Sequence, residues 1–420
     1  MAERLGVGFV GAGFMSTFHA ISWANVRHAD IKGIVDIRKR RAQEFAKLCQ
    51  KLRVGSPKVF NDVSEMAKDP EINVIYIVSP NYTRVPILEK IVKTVKQGKT
   101  KLIGIACEKP LARTVKEAKR MVELIKESGL LHGYLENQCF APSLTKGREI
   151  IWKRGASISG RPYIARCAEE HSGPHEPWFW LGTQQGGGVL SDMMCHSLES
   201  SRLLLTQPGK SKSSIKPVSV SCEIASLKWT RPEYIEKLKT RFGGKVDYSK
   251  EPVEDFARAT ILYESPEKLP LIAEVTTSWS FNGPGLRLNF ELIGPEYYMQ
   301  INSLTPELYI FFSREVKGKK GEDFVEKQAA EQGLMPVLSR EELVYGYVDE
   351  DKYMTECFLD GRQPEESFED GLFIVKLISA CYMAAEKGEK LKFPPKGLDD
   401  FVPQVGKGTW DAKSVLKAGH

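Results

Sequence analysis

Residues 5–16 read LGVGFVGAGFMS, an apolar run that leads straight into a glycine-rich turn. Gly11, Gly13 and the small Ser16 occupy the G-x-G-x-x-G/A positions between a predicted strand and a predicted helix. Glycines there permit a tight turn and let backbone amides approach a pyrophosphate at the helix N-terminus. This stretch therefore predicts a dinucleotide site, with an ordinary strand-turn-helix as the alternative.

Asp36 closes the next predicted strand, about twenty residues beyond the turn, where a carboxylate can accept hydrogen bonds from an adenosine ribose. The same carboxylate would repel a ribose phosphate, so NAD is favoured over NADP. The basic run from Arg38 to Arg41 could instead neutralise that phosphate, but we interpret it as the solvated start of a helix. Arg38, Phe14 and Met15 complete the cofactor contacts predicted around the turn.

The first third of the chain alternates short, continuous apolar runs with amphipathic segments. Continuous apolar strands indicate burial on both faces, which is the condition of a parallel sheet covered by helices. The predicted strands are residues 5–10, 31–35, 74–78 and 102–107, and the predicted helices are 14–26, 39–51 and 84–96. Residues 1–135 are therefore predicted to form a Rossmann domain with a doubly wound parallel sheet.

After residue 135 the chain is richer in β-forming residues, and several stretches alternate apolar with polar positions, as an antiparallel sheet with one wetter face does. The predicted strands are 218–229, 257–263, 271–279, 286–293 and 307–312. The charged stretches 207–216 and 316–333 predict surface loops or peripheral helices, and 372–387 predicts a late helix that could pack back on the Rossmann domain. The predicted fold class is α/β, with an α+β second domain over 136–395 built on a large open, mainly antiparallel sheet, and a tail over 396–420.

Composition limits the classes of partner. A chain of 420 residues with 42% hydrophobic content is too long for one ordinary core. Its 60 Lys and Arg and 54 Asp and Glu are spread without a basic arm, which argues against nucleic acid as a partner. No apolar stretch approaches membrane-spanning length, and the eight cysteines show no paired short spacing. We expect a soluble, cytoplasmic protein with reduced thiols and no membrane partner.

Two short turns follow the third and fourth predicted strands, at the edge where ligands bind in open α/β sheets. The first contains Ser79, Pro80 and Asn81, which we expect to border the cofactor. The second is Glu108-Lys109-Pro110, in which the proline biases the lysine toward an extended conformation. An ammonium here is within reach of a substrate beside the nicotinamide, so Lys109 is a candidate catalytic residue and, with Glu108, a cofactor contact. A surface lysine paired with Glu108 is the alternative.

Residues 186–196 read GGGVLSDMMCH. The glycines suit a close approach to a ligand, and the helix predicted after them places Asp192 and His196 one turn apart on one face. A carboxylate and an imidazole so placed can converge on one substrate hydroxyl and assist removal of its proton. A capped core helix with a buried, hydrogen-bonded histidine is the alternative.

Together these motifs resemble the Gfo/Idh/MocA family, which includes glucose-fructose oxidoreductase and inositol dehydrogenase. The resemblance spans nearly the whole chain and rests on an ordered set of residues. The set comprises residues 8–13, Asp36, 79–81, 108–112, 186–188, Asp192 and His196, followed by 255–257, Ser278, Trp279, Tyr353, Phe358, Gly361, Asp370 and Gly371. One departure is Arg84, which lies where many members carry a histidine; another is the length of the chain.

The resemblance implies an NAD(P)-dependent oxidoreductase that transfers a hydride between nicotinamide and a secondary hydroxyl of a sugar, glycoside or cyclitol. Lys109, Asp192 and His196 match the family's catalytic positions. His196 would take the hydroxyl proton and Lys109 would stabilise the alkoxide, or these two roles could be exchanged. Because the second-domain sheet often forms the oligomer interface in this family, a homo-oligomer is also implied, either a dimer or a tetramer.

Residues 171–180 read HSGPHEPWFW and are predicted to determine substrate identity. Trp178 and Trp180 offer flat apolar faces for a pyranose, His171 and His175 could bond its hydroxyls, and Asn137 could add a polar wall; packing of the aromatic rings on the sheet is the alternative. The predicted substrate set is completed by Lys109, Asp192 and His196. His171, His175, Asp192 and His196 also include a suitable metal-ligand set, but family chemistry needs no metal and none is predicted.

Two other functions are left open by the sequence. One is NAD-dependent glycoside hydrolysis, in which the same site oxidises a sugar transiently, eliminates the aglycone and reduces the intermediate again. The other is a non-catalytic, cofactor-binding regulatory subunit, against which the intact set of Lys109, Asp192 and His196 argues. Equimolar NADH formation would distinguish a dehydrogenase from both.

Overall fold

The chain divides into two compact units in a computed structural model that describes residues 4–306, 308–312 and 333–414. The first unit comprises Met1–Pro142 and Glu342–Val375, and the second comprises Ser143–Glu341 and Lys376–His420. The first unit thus includes a late segment that lies far beyond the predicted boundary at residue 135. Most of the predicted charged loop 316–333 lies outside the described residues.

The strands alternate with helices in the first third of the chain and then follow one another more closely. In chain order they are β1 (Leu5–Val10), β2 (Ala29–Val35), β3 (Gly55–Phe60), β4 (Val74–Ile77), β5 (Gly104–Glu108), β6 (Leu131–Leu135), β7 (Ile164–Glu170), β8 (Lys216–Ala225), β9 (Phe256–Glu264), β10 (Pro270–Ser278), β11 (Arg287–Gly294), β12 (Tyr297–Asn302), β13 (Leu308–Phe312), β14 (Gly333–Val337) and β15 (Leu391–Lys392).

The α-helices range from one turn to twenty residues. In chain order they are α1 (Phe14–Ser22), α2 (Lys39–Leu52), α3 (Val63–Lys68), α4 (Arg84–Lys96), α5 (Val115–Ser128), α6 (Pro142–Ile150), α7 (Ala156–Ser159), α8 (Gly182–Gln185), α9 (Val189–Leu205), α10 (Pro232–Arg241), α11 (Glu341–Val344), α12 (Tyr347–Leu359), α13 (Phe368–Lys387) and α14 (Gln404–Lys407). None of the described helices is long and apolar enough to cross a bilayer.

The first unit is built on a six-stranded parallel sheet with the order β3-β2-β1-β4-β5-β6. Every residue of β1, β4 and β5 is buried, as their continuous apolar sequences predict for strands covered on both faces. Strand order reverses between β1 and β4, and ligands bind at such a switch point, outside the carboxyl ends of the strands. The predicted doubly wound sheet is confirmed, and the turns after β1, β4 and β5 lie side by side at its carboxyl edge.

Segment 342–375 packs on this sheet through α12. Phe358 lies over Gly104 of β5 and Met354 lies over Gly133 of β6, and a Cβ added at either glycine would come within 2.5 Å of these side chains. The glycines therefore make room for a helix whose sequence is more than two hundred residues away. This packing adds α12 to the hydrophobic core of the first unit.

The second unit is built on a seven-stranded sheet with the order β12-β11-β7-β10-β9-β8-β15. Only the β7 and β10 pair is parallel, and the other pairs are antiparallel. Burial alternates along β9 and β10, and α9 packs against β7 and β10. The predicted open, mainly antiparallel sheet is confirmed.

The late helix predicted at 372–387 is α13, which begins at Phe368. Near its start Gly371 lies against Leu111 and Tyr134 of the first unit, and farther along Tyr382 bonds to Glu254 of the second. All eight cysteines lie in the described part of the chain as free thiols.

Candidate active site

The glycine turn has the geometry that the sequence predicts. Gly11 has a positive φ of 105°, and a Cβ there would come within 2.5 Å of the Val78 carbonyl oxygen, so a larger residue would be strained and crowded. Gly13 precedes the first residue of α1, and a Cβ there would meet no atom within 4 Å. Ser16 donates its hydroxyl to the Gly11 carbonyl at 2.7 Å, which explains a serine at the third small position. The turn leaves open space before a helix N-terminus, which fits a pyrophosphate.

Asp36 ties the end of β2 to this turn. Its carboxylate accepts hydrogen bonds from the backbone N–H of Ala12 at 2.8 Å and of Arg38 at 2.7 Å. Each carboxylate oxygen keeps a second lone pair with which it can accept a ribose hydroxyl. The Arg38 side chain is exposed, and the neighbouring Ile37 side chain is 98% exposed at the same strand end. A carboxylate beside an exposed apolar side chain fits the adenosine half of NAD.

Lys109 follows β5 directly and is partly buried, and its neighbour Glu108 is buried. The Glu108 carboxylate accepts from the backbone N–H of Lys109 at 3.1 Å and pairs with Nε2 of His19, on α1, at 3.1 Å. The other ring nitrogen of His19 lies 2.9 Å from the carboxylate of Asp351, on α12. A chain of contacts thus runs from α12 through α1 to the backbone of the candidate catalytic lysine.

Charge explains why this buried chain holds together. Burial disfavours the imidazolium of His19, but the carboxylates of Asp351 and Glu108 outweigh it and hold the pKa of His19 well above its usual value. Burial likewise raises the pKa of Glu108, yet His19, with Lys109 and Arg84, holds it below its usual value. The Glu350 carboxylate lies beside them with no hydrogen-bond partner in the part of the chain that the structure describes, and burial raises its pKa well above its usual value, which favours the neutral acid.

Arg84, the first residue of α4, is also buried at the carboxyl edge of the sheet. Its guanidinium donates to the main-chain carbonyls of Ser79 at 2.9 Å and Lys109 at 3.2 Å, and also to those of Glu108 and Pro110. It therefore connects the Ser79-Pro80-Asn81 turn after β4 to the Glu108-Lys109-Pro110 turn after β5. Asn81 is buried in the first of these turns, and Ser79 accepts from the Thr83 hydroxyl at 2.8 Å.

In the second unit, α9 carries Asp192 and His196 in its first two turns, and both side chains are buried. Nε2 of His196 lies 3.8 Å from the carboxylate of Glu169, which ends an inward-facing row of β7. Glu169 was not predicted as a site residue, because β7 itself was not predicted. The short alternation Ala165-Arg166-Cys167 within β7 is the signal that could have found the strand.

Two of the three glycines before α9, Gly187 and Gly188, are required by the packing of the protein itself, and their close approach to a ligand stays a prediction. A Cβ at Gly187 would lie 2.0 Å from the Tyr382 hydroxyl, and one at Gly188 would lie 2.3 Å from the Glu254 carbonyl oxygen. Glu254 accepts from the backbone N–H of Gly188 at 3.0 Å and from the Tyr382 hydroxyl at 2.6 Å. The glycines are needed because buried protein side chains anchor the start of the helix there.

The ionisation of Glu254 should also make the free energy of unfolding depend on pH. Burial raises its pKa from 4.5 to about 7, although the Tyr382 hydroxyl and the N–H groups at the start of α9 favour the charged form. A raised carboxyl pKa contributes stability that is present below the unfolded value and is lost as the pH rises through about 7. The free energy of unfolding of Glu254→Gln, measured relative to that of the unaltered protein, should therefore increase by about 3 kcal/mol as the pH rises from roughly 4.5 to 8.

Urea unfolding across this pH range measures the difference, with Glu251→Gln as the control because Glu251 is exposed. Parallel pH profiles for Glu254→Gln and the unaltered protein would show that Glu254 does not titrate in this window.

The segment 171–180 departs from its prediction at Trp180. This ring is fully buried, packs against Trp229 and Trp279, and donates to the Pro174 carbonyl at 3.1 Å. A ring enclosed by other aromatic rings has no face for a sugar, so the prediction of Trp180 as a substrate platform is wrong. Trp178 is partly buried and stacks on Phe179 with centroids 3.7 Å apart.

The two histidines of this segment differ in environment. His175 is exposed, whereas His171 is fully buried and accepts from the backbone N–H of Gly173 at Nδ1, at 2.9 Å. Because Nδ1 accepts, the ring proton of neutral His171 lies on Nε2, which makes that atom a donor. His171 is thus bonded within its own segment and fully buried, and its contact with a substrate stays a prediction from the sequence.

Two predictions remain, namely Asn137 as a polar wall of the substrate pocket and the alternative of a metal site. The Asn137 amide donates to the Tyr345 carbonyl at 2.7 Å and so fastens segment 342–375 to the end of the Rossmann sheet. Within the described residues, His171, His175, Asp192 and His196 do not form a group whose ligand atoms lie within 4.8 Å of one another. The structure therefore does not bring these four residues together as one ligand set.

The parallel sheet, the glycine turn at its switch point and the carboxylate after β2 define a dinucleotide-binding protein of the Rossmann class. Residues 5–134 match the family described as "Oxidoreductase family, NAD-binding Rossmann fold", and residues 157–298 match the GFO/IDH/MocA C-terminal domain. The chain belongs to the Gfo/Idh/MocA family. The predictions of this family and of an NAD-binding domain are confirmed.

Several characterised proteins are similar to this chain. Levoglucosan dehydrogenase of Pseudarthrobacter phenanthrenivorans is 23% identical over 409 residues, which cover 93% of this chain and 99% of that protein. Myo-inositol 2-dehydrogenase of Thermotoga maritima is 24% identical over 199 residues, 47% of this chain and 54% of that enzyme. The crystal structure of GenD2 from gentamicin A biosynthesis, in complex with NAD, has a TM-score of 0.74 at 23% identity and covers 94% of this chain and 97% of that one.

Proposed function

We propose that this protein is an NAD-dependent dehydrogenase that oxidises a secondary hydroxyl of a sugar, glycoside or cyclitol. The observation that carries the proposal is the carboxyl edge of the Rossmann sheet, where Gly11 and Lys109 follow β1 and β5 on either side of β4. A nucleotide turn and a lysine at one edge suit a reaction beside the nicotinamide. Similarity to levoglucosan and myo-inositol dehydrogenases supports a polyhydroxylated substrate.

Bound NAD would supply a hydride acceptor at its nicotinamide ring. The glycine turn would hold its pyrophosphate, and Asp36 would accept from its ribose hydroxyls, which favours NAD over NADP. We assign removal of the substrate hydroxyl proton to His196 and stabilisation of the developing alkoxide to Lys109, with the exchange of these roles as the alternative. Asp192 and Glu169 would orient the imidazole of His196 and balance the positive charge that it gains with the proton.

The direct test is a panel of sugars, anhydrosugars, glycosides and cyclitols mixed with the purified protein and NAD. We expect NADH absorbance to rise in proportion to the amount of one oxidised product, identified by chromatography. Release of an aglycone with only catalytic NAD would instead identify the redox-neutral hydrolysis. NAD binding without either reaction across the panel would support a non-catalytic subunit.

A cytoplasmic location stays a prediction from the sequence.

We also infer that the protein is a homo-oligomer, assembled through the face of the second-unit sheet that lies opposite α9. The register aligns Leu262, Ile272, Ile164 and Ile293 in one row across β9, β10, β7 and β11. All four side chains are partly exposed, and Tyr298 of β12, 56% exposed, extends the row. An apolar row next to the cross-strand ion pairs of Arg166 suits a self-complementary interface.

Ile272→Glu should disrupt this interface, because it places a charge in the centre of the apolar row. We expect the mass measured by light scattering after gel filtration to fall from that of a dimer or tetramer to that of a monomer or dimer. Ile158→Glu is the matched control, since Ile158 is 88% exposed on α7. An unchanged mass for Ile272→Glu, with the fold intact by circular dichroism, would place the interface elsewhere.

A further inference from the structure

Arg84 is a buried cation whose side-chain hydrogen bonds to the described residues all go to main-chain oxygens. The side chain is buried, with 3% of the residue exposed, and its guanidinium donates to the carbonyls of Ser79, Glu108, Lys109 and Pro110. An arginine presents five N–H donors in a rigid planar fork, so one side chain can serve several acceptors at once. Because this guanidinium bonds to backbone carbonyls, it holds the backbone of the loops to which they belong in one geometry.

The four carbonyls belong to two turns that follow neighbouring strands. Ser79 follows β4, and residues 108–110 end and follow β5, so these acceptors lie where the parallel ladder between the two strands stops. A buried carbonyl without a donor is destabilising, because it has lost its hydrogen bond to water and gained none in return. Arg84 supplies the donors that the ladder no longer provides, and it holds the two turns at one spacing.

Both backbone groups of Lys109, its carbonyl and its N–H, are thereby hydrogen-bonded to side chains. Arg84 bonds the carbonyls before, at and after Lys109, while the Glu108 carboxylate, fixed by His19, accepts from the Lys109 N–H. A histidine, with two ring nitrogens, or a lysine, with one ammonium nitrogen, could not span these four acceptors. The geometry therefore depends on a guanidinium at position 84.

We propose that Arg84 is a positioning residue, which acts through the two turns to set the Lys109 side chain against the cofactor-side turn at Ser79. The proposal rests on the proposed dehydrogenase function. A displacement of about 1 Å in a reacting group can lower the rate about a hundredfold. Arg84 itself is not assigned any contact with substrate or any proton transfer.

The test compares Arg84→Ala, Arg84→Lys and the control Arg4→Ala, because Arg4 pairs with Asp30 and bonds the Ala29 carbonyl at the start of the same sheet's β2. For Arg84→Ala we expect kcat to fall about a hundredfold, with KM and the NAD dissociation constant changed only a few-fold. Arg84→Lys should recover little of kcat. Methylguanidinium added to Arg84→Ala should restore part of it, and should do nothing for Lys109→Met.

A second readout needs no turnover. Hydrogen exchange of the peptide that contains residues 104–114 should be at least about tenfold faster in Arg84→Ala than in the unaltered protein or in Arg4→Ala. If exchange there is unchanged in folded Arg84→Ala, the positioning role is overturned, whatever the enzyme's activity. If exchange rises but kcat stays within twofold, Arg84 holds the turns without positioning a reacting group, and the proposal is again overturned. Failure of the dehydrogenase function itself would appear separately, as the absence of NADH formation by the unaltered protein with every substrate of the panel.

Discussion

Lys109→Met is expected to bind NAD with nearly unchanged affinity and to lose turnover by about a thousandfold. Methionine keeps much of the length of the lysine stem but removes the ammonium that would stabilise a developing alkoxide, and the loss of such a group typically lowers kcat by about 10²–10⁴. The backbone contacts of Lys109 with Glu108 and Arg84 do not involve its side chain, so the turn should persist.

Steady-state NADH formation gives kcat and KM, and protein fluorescence titration gives the NAD dissociation constant. Lys116→Met is the matched control, because Lys116 is an exposed lysine on α5 of the same unit. If Lys109→Met keeps more than about a tenth of the turnover, the reaction does not use this ammonium. A parallel loss of NAD binding would instead identify Lys109 as a cofactor ligand.

His19→Leu is expected to lower the free energy of unfolding by about 3–5 kcal/mol near pH 6, because it leaves the carboxylates of Asp351 and Glu108 buried without their shared cation. Since His19 has a raised pKa, its stabilising contribution is full below its ordinary pKa, near 6.5, and is lost as the pH rises through the raised value. The difference between the variant and the unaltered protein should therefore shrink toward alkaline pH.

Urea unfolding at about pH 6 and about pH 9 measures both parts of this prediction. The double variant His19→Gln/Asp351→Asn replaces the ion pair by two neutral amides that can bond to each other, and it should recover part of the loss seen in His19→Gln alone. A pH-independent loss, or no recovery in the double variant, would show that His19 stabilises the fold by packing and not by charge.

The Rossmann half could be predicted in detail because its signals are local. The helix predicted at 84–96 has those same ends in the structure, and the strand predicted at 5–10 does as well. Apolar runs bounded by turn residues decide such elements within a window of a few residues. Two strands of the same sheet, β3 and β6, were not predicted, because their sequences GSPKVF and LHGYL lack a continuous apolar run.

The candidate site was predictable only in part. Gly11, Asp36 and Lys109 follow strands in a recognisable order, so their common edge follows from parallel topology. Trp180 has the composition of a sugar platform, and its burial depends on Trp229 and Trp279, which lie far along the chain. The links from His19 to Glu108 and Asp351 were missed for a similar reason, since no short-range pattern connects these three residues.

The sequence by itself determined the class of fold, the nucleotide turn and the identity of the lysine, because glycine spacing and apolar periodicity act over short distances along the chain. Tertiary structure alone decided what holds that lysine in place. Arg84 donates to the carbonyl of Lys109, and Glu108 accepts from its N–H. The charge of His19 is balanced by Asp351, which lies on a helix that packs over glycines of β5 and β6. Buried charges must find partners wherever the fold places them, and that placement is a property of packing and not of local sequence.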